Sequence, residues 1–99
     1  MSQQAVFIRH RTKPGQRAAV QKVWQRNMQP AIAANPGHIA YSYCFGADPD
    51  VICAFQQYRD ADAAHAFLQT PAYAAYLKEV EPLLLGEPEI DILDIQWSK

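Results

Sequence analysis

Three histidines, five tyrosines and two cysteines carry much of the reactive chemistry in this 99-residue chain. His10 closes the run Ala5-Val6-Phe7-Ile8-Arg9-His10-Arg11 and shares the parity of Val6 and Ile8. An imidazole at the end of a buried strand face can act as a general base towards an acidic hydroxyl. The other reading is a solvated histidine at a strand end. Tyr58 and Tyr76 supply hydroxyls that can donate to a developing oxyanion. Trp24, Met28, Phe67 and Tyr73 can wall a flat apolar pocket, or serve simply as core between a sheet and its helices. His65 falls on the helix side opposite Ala64, Phe67 and Leu68 and is expected to be exposed. His38, directly after Gly37, is expected in a turn, and neither is given a role. Cys44 and Cys53 fall on the two arms of one hairpin, where a redox pair and two reduced, packed thiols are both conceivable; reduced, packed thiols are expected.

These side chains are positioned by a short set of elements. Residues 5–11 are rich in β-branched and aromatic types and read as a first strand, punctuated by Pro14-Gly15. Val20, Val23, Trp24, Met28, Ala31 and Ile32 recur in steps mostly of three and four, which predicts an amphipathic helix over 16–34. Pro30 cannot donate to the Arg26 carbonyl, so a kink or early end is expected there. Asn35-Pro36-Gly37 ends the element. Ile39, Tyr41, Tyr43 and Phe45 alternate with smaller residues in a second strand over 38–45, and a loop over 46–50 returns the chain into a third over 51–58. Asp60 suits an N-cap, and Thr70-Pro71 a second N-cap with proline at the first helical position. A last strand is predicted over 89–97; its apolar parity switches between Ile92 and Leu93, which predicts a bulge or two different neighbours. Cross-strand ion pairs are expected between Arg9 or Arg11 and Asp91 or Asp94. The order β-α-β-β-α-β is the ferredoxin-like α+β arrangement, an antiparallel four-stranded sheet with helices on one face. It leaves the other sheet face open and apolar, and a homodimer formed through that face is expected.

Composition narrows the function classes. Hydrophobic residues make up 49% and charged residues 19% of the chain, a globular balance suited to one domain over residues 1–99. No apolar run approaches the ~20 residues of a membrane helix. The N-terminal residues lack the apolar stretch of a signal peptide, and a cytoplasmic protein is expected. C-x-x-C, H-E-x-x-H, G-x-G-x-x-G and G-K-[ST] are all absent from the sequence, which removes the familiar zinc and nucleotide motifs. The first 34 residues balance to +6 and the remainder to −7, a net charge of −1 that argues against a dedicated nucleic-acid binder.

Lys13-Pro14-Gly15, Asn35-Pro36-Gly37 with Tyr41 four residues on, and Phe67-Leu68-Gln69-Thr70-Pro71 occur in an order and spacing that resembles the antibiotic biosynthesis monooxygenase family. The resemblance runs from Val6 to Ile95. It implies a dimeric α+β barrel with a ligand pocket between the sheet and the helices of each subunit. The family includes cofactor-free oxygenases of quinols and polycyclic polyketides, haem-degrading enzymes, and members without a known reaction. Quinol-oxygenase-like members commonly carry histidine at the position of Phe67 and often another at Ala72. Haem-degrading members carry asparagine near Ile8, tryptophan near Phe67 and an axial histidine near Leu77. Tyr58 stands where the family has a strand tryptophan. Without an imidazole near Leu77 no haem ligand is evident, so neither a cofactor nor a metal is expected. The resemblance thus implies a cofactor-independent monooxygenase acting on a small aromatic or quinol-type molecule. Its alternative is a non-catalytic small-molecule-binding or structural dimer of the same fold.

Overall fold

The computed structural model describes residues 3–99. The chain runs β1 (Gln4–Arg11), α1 (Arg17–Asn27), α2 (Gln29–Ala34), β2 (His38–Phe45), β3 (Val51–Tyr58), α3 (Ala61–Phe67), α4 (Pro71–Val80), a 3-10 turn (Glu81–Leu83) and β4 (Glu89–Asp94). The strands form one antiparallel sheet in the order β2-β3-β1-β4. This is the ferredoxin-like α+β fold that the element order implied.

Local chemistry explains the boundaries. The predicted long helix breaks at Met28, and Pro30 lies in the first turn of α2, where its missing N–H costs nothing. Asp60 caps α3 by accepting from the Ala63 N–H at 2.7 Å, and Thr70 caps α4 by accepting from Tyr73 at 3.3 Å. The hairpin after β2 is held by Arg17, whose Nη1 donates to the carbonyls of Gly46 and Asp48 at 3.0 Å each while its guanidinium covers the Phe45 ring.

Val6, Ile8 and His10 of β1 share one sheet face with Ile52, Ala54, Gln56 and Tyr58 of β3, because Val6 pairs with Gln56, Ile8 with Ala54 and His10 with Ile52. The helices close over this face. Val20, Val23 and Trp24 from α1 meet Ile52 and Tyr58 from β3 and Phe67, Tyr76 and Val80 from α3 and α4. Burying each such apolar side chain contributes ~1.5–3 kcal/mol before entropy is counted. Phe7, Phe55 and Leu93 take the opposite, uncovered face.

Four expectations need correction. β4 ends at Asp94, short of the predicted 97, and no bulge interrupts it. Ile92 pairs with Val6 on the cavity side and Leu93 with Ala5 on the opposite face, so the parity switch reflects two different neighbours. Ile95 and Trp97 lie beyond the strand, and Trp97 is 80% exposed. His38 does not sit in a turn. It opens β2, and a register shift between His38 and Ala40 makes Ile39 the extra, outward residue. That bulge returns His38 to the face of Tyr41 and Tyr43. The β1–β4 ion pairs do not form among the described residues. The register sets Arg9 opposite Glu89 and Asp91 opposite Phe7, and Arg11 pairs instead with Asp48 at 3.0 Å. Cys44 and Cys53 are direct register partners and both are free thiols; Cys44 is exposed rather than packed.

Candidate functional site

A cavity of about 420 Å³ opens between the sheet and the helices. Its floor is Val6, Ile8 and Ala54; above it α3 brings the small Ala61 and Ala64, which leave space, beside the larger Phe67. The wall is mostly apolar, as is usual for a small-molecule site. Ile90 and Ile92 of β4 form one side of the mouth, and His65 and Leu68 lie at its α3 side. His65 is therefore exposed, as expected, yet also at the cavity's edge.

Six of the seven residues singled out from the sequence line this cavity: His10, Trp24, Met28, Phe67, Tyr73 and Tyr76. Tyr58 does not. It is fully buried beneath the ring of His38, 4.4 Å between centroids, and its hydroxyl donates to Gln56 Oε1 at 2.6 Å. Its hydroxyl is already committed, so the oxyanion donor expected at Tyr58 is not available there.

His10 is 7% exposed, and its Nδ1 is buried without a hydrogen-bond partner. Native proteins leave few buried polar atoms unpaired, and those usually meet water or a ligand. Desolvation pulls the His10 pKa below its ordinary value, so the imidazole is neutral at neutral pH and one ring nitrogen is free to accept a proton. Tyr76 meets His10 edge-on with centroids 6.4 Å apart. Burial pushes the Tyr76 hydroxyl well above the usual phenol range, so it remains a donor.

Residues not singled out complete the site. Tyr43 stacks on Trp24 at 4.1 Å between centroids, and its buried hydroxyl also lacks a partner. Tyr41 accepts from the Trp24 indole N–H at 3.2 Å, and burial raises its pKa to about 12. Gln56, 4% exposed, is the one amide on an otherwise apolar inward row of β3, and it lines the cavity. Its parity with Ile52, Ala54 and Tyr58 was a readable signal. Cavity-facing Ile8, Phe67 and Leu77 fill with hydrocarbon the positions at which the resemblance located an asparagine, a histidine or tryptophan, and an axial ligand. Leu77 has no donor atom for an iron. Among the described residues no three His, Cys, Asp or Glu side chains gather as a metal site.

The antibiotic biosynthesis monooxygenase family model matches residues 4–79. The chain belongs to that family. No curated protein matches it. Among solved structures, a Nitrosomonas europaea protein of unknown function is 28% identical, with a TM-score of 0.85 over 100% of this chain and 94% of the other. The Mycobacterium tuberculosis protein Rv0793 is 25% identical, with a TM-score of 0.88 over 98% of each chain. The Pseudomonas aeruginosa protein PA3566, at 19% identity, shares the fold with a TM-score of 0.85 over 98% of this chain and 97% of its own. All of the cavity wall contributed by β1 to α4 up to Leu77 lies inside the span that matches the antibiotic biosynthesis monooxygenase model; β4 lies outside it.

Proposed function

We propose that this chain is a cofactor-independent monooxygenase of a small aromatic or quinol-type molecule, with His10 as the catalytic base. One observation carries the reading: a buried, neutral imidazole with an unpartnered nitrogen lines a mostly apolar cavity of about 420 Å³. The ring lies between Trp24, Phe67 and Tyr73. His10 takes the hydroxyl proton, and Tyr76 and Tyr43 donate to the anion that forms. The electron-rich anion then reduces dioxygen. One oxygen atom bonds to a ring carbon, and the other leaves as water with the two hydrogens the substrate gives up. The substrate itself supplies the electrons, so no outside reductant enters.

Oxygen uptake with a panel of hydroquinones and anthrone-like phenols tests this reading. Removing a general base costs ~10²–10⁴ in rate, so His10→Ala is expected to lower turnover by that factor while binding changes little. Full activity in His10→Ala removes this mechanism. A second reading has its own support, because Ile8, Phe67 and Leu77 present only hydrocarbon to the cavity. It is a non-catalytic binder of the same ligands, and uptake no faster than buffer with binding intact would select it.

A further inference from the structure

Gln56 is the only cavity-lining residue whose side chain is held from behind by a directed chain of hydrogen bonds among the described residues. The chain begins at the backbone. The Gly37 N–H donates to Asn35 Oδ1 at 3.2 Å. A backbone N–H can only donate, so the Asn35 amide has one allowed sense and its Nδ2 is the atom facing His38 Nδ1 at 2.9 Å. His38 Nδ1 therefore accepts, and the ring proton sits on Nε2. From there it is donated to Gln56 Oε1 at 3.0 Å. Tyr58 donates to the same oxygen at 2.6 Å.

A hydroxyl tolerates either end of an amide, since it can donate or accept. The sense of Gln56 is thus fixed by His38, and ultimately by Gly37. With Oε1 occupied twice, the amide presents its NH2, and Nε2 has no partner among the described residues. Phe67 covers His38 edge-on at 4.6 Å between centroids and separates this chain from the cavity. Gln56 and His10 lie at opposite ends of the floor. Gln56 is paired with Val6, four residues from His10 on β1, a backbone separation of ~13 Å at ~3.3 Å per residue.

We propose that the Gln56 NH2 receives an acceptor oxygen at the far end of the ligand, and that Asn35 and His38 are positioning residues that hold the amide in that sense. The ligand class is then an elongated aromatic with an acidic hydroxyl at one end and a carbonyl-type acceptor at the other. The inference rests on the cavity binding an aromatic ring, and not on the oxygenation step.

Calorimetric binding of 2-naphthol, 6-hydroxy-2-naphthaldehyde and 6-amino-2-naphthol, above the titration range of histidine, tests it without turnover. One added hydrogen bond of ordinary strength is worth about tenfold in affinity, so the wild-type chain is expected to prefer the aldehyde to 2-naphthol by about tenfold. Gln56→Leu brings that ratio close to one with 2-naphthol unchanged. His38→Leu frees the amide to turn, so the amine probe gains on the aldehyde; His38→Gln, which keeps a donor, restores the preference. A merely structural loss would weaken all three probes together. Equal wild-type affinities, or a preference that survives Gln56→Leu, overturn the assignment. Failure of every probe to bind overturns it together with the cavity reading, whereas absent oxygen uptake removes only the oxygenase.

Discussion

His10 and His38 are held neutral by burial rather than by a neighbouring charge: desolvation is the leading cause of the lowered pKa in each, and only at His38 does the hydrogen bond to Gln56 oppose it. That assigns a sign to the pH dependence of stability. The unfolded chain takes up protons near the ordinary histidine value of 6.5, while the folded chain resists until a lower pH. Between those two values the unfolded state binds more protons, so stability falls as pH falls, and the full contribution is present only above the unfolded value. The melting temperature is expected to drop on mild acidification from near 6.5, and His10→Phe to reduce that slope. A melting temperature that rises on acidification would contradict a buried neutral imidazole. At this scale parity with Val6 and Ile8 left His10 either inward or solvated at a strand end, and only the closure of the helices over that face decides for inward. The environment of Tyr58 was not, because a hydroxyl's partner depends on a side chain across the strand pair.

Among the elements, the junction of α2 and β2 carries more than a chain reversal. A Cβ on Gly37 would stand 2.9 Å from the Ala63 Cβ, so the glycine is required for close approach to α3 and not for a left-handed backbone. Gly37→Ala is expected to destabilise the chain by ~1–3 kcal/mol through this overlap, read by chemical denaturation. Ala63→Gly in the same chain should recover part of the loss, and a strictly additive pair would place the strain elsewhere. This junction also separates what the sequence disclosed from what it hid. Pro30, Asp60 and Thr70-Pro71 act through their own backbone, so the helix break and both caps could be read from one dimension. The Ile39 bulge could not, because Ile39, Tyr41 and Tyr43 alternate as a regular strand would. Only pairing with Gln57 and Tyr58 reveals the extra residue, and with it the inward turn of His38. β4 was overextended for a related reason: Ile95 and Trp97 are strand-forming residues, but the β1 register ends at Gln4 opposite Asp94.

The whole molecule is asymmetric in how it treats its sheet. One face is closed by four helices, while the other presents Phe55 at 37% and Leu93 at 41% exposure beside Phe7. Ile90 and Ile92, on the cavity side of β4, are exposed as well, so the edge of the sheet is apolar on both faces. Water against Phe7, Phe55 and Leu93 is costly at ~25 cal/mol per Å², and a second copy is the economical cover because one patch can complement itself about a two-fold axis. Arg9 and Glu89 face each other across the β1–β4 pair, while Asp91 lies on the same face opposite Phe7, towards the β4 edge. Sedimentation at micromolar concentration is therefore expected to give a dimer. Phe55→Asp places a carboxylate in the middle of the face, opposite Phe7. Burying it unpaired would cost several kcal/mol, so the variant is expected to sediment as a monomer with its far-ultraviolet dichroism retained. A wild-type chain that stays monomeric and soluble, or a Phe55→Asp variant that remains a dimer, would remove the sheet face as the interface.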